Sequence, residues 1–125
     1  MGLISGLMGN ASEVTVEKIE KEYGKLLASH ESVKRAFKLV RDLFIFTDKR
    51  LILVDKQGIT GKKVEYHSIP YKSISHYAVE TSGHFDLDAE LKIYISSNPN
   101  PIQKQFKKDG NIYEVQRTLS EFLLS

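Results

Sequence analysis

Two apolar runs separated by a short polar turn constrain the fold of this chain more than any other feature. Residues 43–46 and 51–54 are rich in β-branched, aromatic and aliphatic side chains, and the polar residues 47–50 between them are typical of a chain reversal. The pattern predicts a β-hairpin. Neither run alternates apolar with polar residues, as a strand with one solvent-facing side would, so we expect both faces of the hairpin to be covered. The second cover must be a helix of this chain or another subunit.

Charge and cysteine content exclude several classes of function. The chain has no cysteine, which excludes disulfides, thiolate zinc sites and cysteine nucleophiles and fits a reducing, cytoplasmic environment. Its 18 basic and 16 acidic side chains leave a net charge of +2, which is too balanced for a dedicated nucleic-acid-binding protein. At 125 residues and 41% hydrophobic content, we expect one globular core.

The N-terminal residues 1–9 are apolar, but they are too few to span a membrane and lack the basic flank of a signal peptide. Leu3, Ile4, Leu7 and Met8 fall at helical spacing and predict a short apolar stripe. Two interpretations stay open, an arm that packs on its own domain and an arm that fills a groove of a neighbouring copy. Insertion into a membrane is less favoured, because at ~25 cal/mol per Å² one such turn buries too little apolar area.

Hydrophobic periodicity predicts a helix, seven strands and a closing helix. Residues 12–29 repeat apolar side chains at three- and four-residue steps, and residues 112–123 do the same. The strands are predicted at residues 33–40, 43–46, 51–54, 62–69, 76–81, 87–95 and 102–108. Pro70 marks a one-turn corner between the fourth and fifth strands. We place a domain boundary after residue 30, so that residues 1–30 form an arm and helix and residues 31–125 form the main domain.

This order of elements, together with several short motifs, resembles the bacterial pleckstrin-homology-like (PH-like) domains. The resemblance spans roughly residue 31 to the C-terminal end. It rests on Asp42, Phe44, Thr47, Asp48, Arg50, Leu51 and Asp55 in the hairpin, Gly61-Lys62-Lys63, Ser68-Ile69-Pro70-Tyr71, Ser73-Ile74 and the pattern from Leu91 to Ile95. It implies an α+β, mainly β fold, in which seven antiparallel strands form a PH-like barrel of two near-orthogonal sheets capped by the C-terminal helix. The N-terminal helix is an addition to that domain.

The leading functional hypothesis is a non-catalytic interaction or scaffold domain that self-assembles into a homo-oligomer. Bacterial proteins that resemble this chain are associated with ring-like homo-oligomer assembly. Such assembly agrees with a hairpin that is apolar on both faces. Self-assembly would use the apolar strand faces and the N-terminal arm. The predicted interface residues are Leu3, Ile4, Leu7, Met8, Leu43, Ile45, Ile52 and Val54.

The alternative hypothesis is a peripheral membrane or anionic-lipid-binding module. Lys34, Arg35 and Lys38 are the residues predicted to contact lipid phosphate groups. Eukaryotic relatives that bind phosphoinositides use a basic loop between the first two strands of the domain, and only Arg41 and Asp42 stand at that place here. The predicted partners are a second copy of the chain, another protein or a membrane surface, and nucleic acid is not among them.

No catalytic, cofactor or metal signature is found in the sequence, so we expect neither enzymatic activity nor a cofactor. The four histidines, at positions 30, 67, 76 and 84, lie in different predicted elements and share no short spacing with carboxylates that favours zinc. Residues 58–63 contain Gly and Lys but lack the spacer and the Ser/Thr of a phosphate-binding P-loop.

Overall fold

The strands of this protein pair into two separate sheets. A computed structural model describes residues 12–39, 42–81, 89–106 and 112–125, and these residues form eight strands, two α-helices and two one-turn 3-10 helices. The strand order is β1-β2-β3-β4-β5 in one sheet and β6-β7-β8 in the other. The chain divides into two compact units, Glu13–Pro70 and a second that contains Tyr71–Ser125.

The first unit contains the five-stranded sheet and the first helix. The strands are β1 (Ser12–Val14), β2 (Val33–Lys38), β3 (Asp42–Thr47), β4 (Arg50–Gln57) and β5 (Lys63–Pro70). Between β1 and β2 lie helix α1 (Val16–Tyr23) and a 3-10 turn (Gly24–Leu26). From β2 to β5 each strand runs antiparallel to the next.

Helix α1 is shorter at both ends than the predicted span of residues 12–29. Thr15 lies in extended conformation as the N-cap, and its side chain accepts a hydrogen bond from the amide of Lys18. The residues before this cap are extended and form β1, a strand that periodicity did not predict. At the other end Gly24 begins the 3-10 turn, which agrees with the poor helix propensity of glycine.

Both faces of the predicted hairpin are covered within the single chain. In the β3–β4 register Ile45 pairs with Ile52 and Phe44 pairs with Leu53. Ile45 and Ile52 share a core with Ile19 of α1, which covers this side of the sheet, called the α1 face below. On the opposite side Phe44 and Leu53 are also buried. The expectation of two covered faces is confirmed, and the cover of the α1 face is a helix of this chain.

The second unit pairs a three-stranded sheet with the C-terminal helix. It contains a 3-10 turn (Tyr71–Ser73), β6 (Ile74–Thr81), β7 (Ala89–Ile95), β8 (Ile102–Phe106) and α2 (Ile112–Leu123). Leu91 and Ile93 of β7 are buried, as their alternation predicts, and Val115 and Leu119 of α2 are fully buried. The hydroxyls of Tyr77 and Ser120 lie 2.6 Å apart and connect β6 to α2.

The predicted fold class is confirmed. The fold is mainly β, with two antiparallel sheets, an N-terminal helix and a C-terminal helix. Pro70 is the last residue of β5 and a one-turn helix follows it, as predicted for the corner. The boundary predicted after residue 30 falls inside the first compact unit, because Ile19 before it and Val33 after it lie in one core.

Candidate functional site

The predicted interface residues of the hairpin lie in the core of the single chain. Leu43 is 7% exposed, and Ile45, Ile52 and Val54 are each 1% exposed. Because α1 already covers them, the physical reason for expecting a second subunit at these positions is absent. The other predicted interface residues, Leu3, Ile4, Leu7 and Met8, lie outside the described residues. Self-association itself stays a prediction.

The three basic residues predicted to contact lipid do not form one patch. Arg35 donates from Nε and Nη2 to the two carboxylate oxygens of Glu13, each at 2.8 Å, and its guanidinium lies 4.9 Å from the ring centre of Phe37. Lys38 is three residues further along β2, so it points to the opposite side and lies on the α1 face. Lys34 is exposed at the bulge in β2 where the register with β3 shifts.

One ionisable group in the first unit is almost fully buried. The side chain of Glu31 is 1% exposed, and its carboxylate accepts hydrogen bonds from Arg50, Thr47 and the amide of Ala28. These hydrogen bonds, with that of Arg50 first, lower the pKa of Glu31 to about 2 against the opposing effect of burial. In the same way, the hydrogen bonds of Arg35 lower the pKa of Glu13. Because Arg50, Thr47 and the amide of Ala28 already bind the Glu31 carboxylate, we interpret the role of Glu31 as structural.

Strand β5 lies at one edge of the five-stranded sheet, and most of its residues are exposed. Of its eight residues only Ile69 is buried, and Val64 is half-buried. Tyr66 is 45% exposed, and its ring meets the ring of Tyr23 edge-on, with 6.4 Å between the centroids. No functional role was predicted for β5 from its sequence. The sequence does contain an indication that this strand is exposed. Val64 and Tyr66 alternate with Glu65 and His67, so that both faces of the strand carry polar groups.

The described residues contain neither a cluster of potential metal ligands nor a helix that could span a membrane. Within the described ranges there is no group of three or more His, Asp or Glu side chains that could hold a metal ion, and His84 lies outside those ranges. Neither helix in this part of the chain has the length and apolar character needed to cross a membrane.

Comparison with known proteins relates this architecture to one family. The family model described as the bacterial PH domain matches residues 2–123. The chain is 60% identical to the uncharacterised protein YjqA of Bacillus subtilis (strain 168) over 121 residues. This alignment covers 96% of this chain and 97% of YjqA.

Two solved structures share the fold. A pleckstrin homology domain from Shewanella amazonensis SB2B has a TM-score of 0.87 and 51% identity, over 98% of this chain and 99% of that one. A DUF1696 family protein with a pleckstrin-homology domain from Shewanella loihica PV-4 has a TM-score of 0.79 and 49% identity, over 92% of this chain and 98% of that one. These matches confirm the predicted PH-like fold, and the family match includes α1. The chain therefore belongs to the bacterial PH domain family.

Proposed function

We propose that this chain is a non-catalytic interaction domain that self-associates through the exposed edge of β5. The observation that carries the proposal is an eight-residue strand at the end of the five-stranded sheet with only one buried residue. An edge strand presents unpaired N–H and C=O groups, which are a template for pairing with another chain. Family membership supports the non-catalytic part, since PH-like folds present recognition surfaces on a common scaffold.

The side chains of β5 are compatible with pairing between two copies. If two β5 strands run antiparallel about a two-fold axis at Tyr66, the two Tyr66 side chains face each other. Glu65 of one copy then lies opposite His67 of the other, so no like charges are directly opposed at these positions. This contact gives a dimer. A ring-like assembly, which the family resemblance implies, needs a second interface on each copy.

The mass of the full chain in solution tests the proposal. We expect a species larger than one chain in sedimentation velocity at micromolar concentrations. Tyr66→Lys places two ammonium groups opposite each other in the proposed register and should shift the protein to monomer. The control is Tyr113→Lys, because Tyr113 is an exposed tyrosine of α2, and it should leave the mass unchanged. A strictly monomeric wild type, or equal masses for the two variants, would contradict the proposal.

A second candidate function is binding to an anionic membrane surface. The turn between β4 and β5 carries a fully exposed isoleucine, Ile59, and the exposed lysines Lys62 and Lys63 follow it closely. An apolar tip surrounded by positive charge suits shallow insertion among anionic headgroups. This surface replaces the dispersed Lys34, Arg35 and Lys38 as the candidate for lipid contact.

Co-sedimentation with phosphatidylserine vesicles tests this second function. We expect binding that weakens as salt is raised, because the lysines contribute by long-range attraction. Ile59→Ser should reduce binding, whereas Leu124→Ser, at an exposed leucine near the C-terminus, should not. The membrane function is ruled out if the wild type does not pellet with these vesicles at low salt.

A further inference from the structure

The α1 face contains a pocket that no β5 residue lines. It has no part in either of the functions proposed above. Its volume is about 80 Å³, and it lies between α1 and the neighbouring ends of β2, β3 and β4. Val14, Ile19 and Leu43 provide its apolar lining, and Ile19 and Leu43 are buried core residues. The pocket therefore has a firm apolar floor that belongs to the core of the first unit.

Three lysines from three different elements line the pocket. Lys18 comes from α1, Lys38 from the end of β2 and Lys56 from the end of β4. In the described part of the chain, none of the three ammonium groups forms a salt bridge with a carboxylate. Their positive charge is therefore available to a ligand.

Two carboxylates moderate this charge. Glu22 and Asp42 also line the pocket, so three positive and two negative groups leave a net charge of one positive unit. Glu22 lies beside Tyr23, another lining residue, and after burial it is the main cause of the raised pKa of the Tyr23 hydroxyl. A ligand with one negative charge fits this balance better than a ligand with two, because Glu22 and Asp42 would repel the second charge.

We propose that this pocket binds a small amphiphilic monoanion, with its carboxylate among the three lysines and its aliphatic chain on Ile19 and Leu43. At roughly 10–15 Å³ for each water-sized group, a pocket of this volume holds about five to eight non-hydrogen atoms. Butanoate to hexanoate match this size. The apolar floor distinguishes such a ligand from inorganic phosphate, which has no aliphatic part to bury.

Titration of the ¹⁵N-labelled full chain with hexanoate tests the proposal. We expect saturable amide shifts centred on Lys18, Ile19, Leu43 and Lys56. Hexylammonium has the same tail with the opposite charge and should give no saturable shift at these amides. Inorganic phosphate should bind more weakly than hexanoate. The proposal fails if hexanoate does not saturate, or if either comparison ligand binds as tightly.

Charge variants provide a second test. Lys18→Gln and Lys56→Gln should each weaken hexanoate binding about two- to fivefold, the range of a partly solvated ion pair. Glu22→Gln should strengthen it by a similar factor. Lys21→Gln is the matched control, since Lys21 is an exposed lysine of α1 that does not line the pocket. Equal affinities for the Lys18 and Lys21 variants would overturn the assignment.

Discussion

Arg50 donates two hydrogen bonds to the carboxylate of Glu31, from Nε at 2.8 Å and from Nη2 at 2.9 Å. Its Nη2 also donates to the carbonyl of Leu26 at 2.6 Å, and its Nη1 donates to Oγ of Ser68 at 2.7 Å. A single side chain from β4 thus connects the segment after α1 to β5. This arrangement explains how α1, which precedes the PH-like strands in sequence, is held to their sheet.

Replacing Arg50 should destabilise the protein strongly. In Arg50→Leu the buried Glu31 carboxylate loses its charged partner, and an uncompensated buried charge costs about 3–5 kcal/mol. The free energy of unfolding in urea measures this loss. The control is Arg117→Leu in α2, because the Arg117–Glu121 pair is largely exposed with 4.0 Å between the charged atoms, and its loss should cost less than about 0.5 kcal/mol. Similar losses in the two variants would contradict the structural role of Arg50.

The same carboxylate should make stability depend on pH in the acid range. The pKa of Glu31 is about 2 in the folded protein, compared with an ordinary value of 4.5. Between these values the unfolded chain binds a proton that the folded chain does not. The stabilisation is therefore complete above pH 4.5 and is lost as the pH falls towards 2. At 1.36 kcal/mol per pKa unit it amounts to roughly 3 kcal/mol.

Unfolding free energies of the wild type and of Glu31→Gln, measured from pH 7 to pH 3, check this dependence. Their difference should be constant above pH 5 and should shrink below it. Glu13→Gln is the control, because the Glu13–Arg35 pair is partly exposed and its removal should change the slope less. If the curves of the wild type and Glu31→Gln stay parallel down to pH 3, the pKa of Glu31 is not lowered.

Much of the fold could be predicted because apolar periodicity records which side chains are buried. The unbroken apolar runs of the hairpin correspond to strands buried on both sides, and the alternation in β7 corresponds to a sheet with one covered face. Strand β1 was missed because Ser12–Val14 is only three residues long and directly precedes a helical pattern. Pairing with β2 and the cap at Thr15 decide its conformation, and neither is visible in a short window of sequence.

The candidate sites were harder to predict, because a pattern shows that a face is covered but does not identify the cover. The apolar face of Leu43 and Ile45 suggested a second subunit, whereas Ile19 of α1 supplies the cover. The prediction that Lys34, Arg35 and Lys38 contact lipid together relied on their closeness in the sequence. Arg35 and Lys38 are close in the chain, but strand alternation places them on opposite faces, and Lys38 joins Lys56 from another strand.

Shortening Ile19 tests whether α1 is an integral part of the folded unit. The side chain is 2% exposed and packs in the core with Val33, so Ile19→Ala should cost about 2–4 kcal/mol of unfolding free energy through lost burial and a residual cavity. Ile59→Ala makes the same chemical change at a fully exposed position and should be close to neutral. Urea denaturation compares the two. A loss in Ile19→Ala as small as that in Ile59→Ala would show that α1 docks only weakly.

Two glycines in the first unit should respond oppositely to alanine. Gly24 has helical angles, with φ of −57°, and an added Cβ would meet nothing within 4 Å, so Gly24→Ala should stabilise by about 0.5–1 kcal/mol. Gly58 also has open space around it, but its φ is +78°, which disfavours a side chain, so Gly58→Ala should destabilise by about 1 kcal/mol. Because neither change introduces a clash, thermal or urea unfolding of the two variants isolates the backbone contribution. Changes of the same sign would contradict the backbone angles assigned at one of these positions.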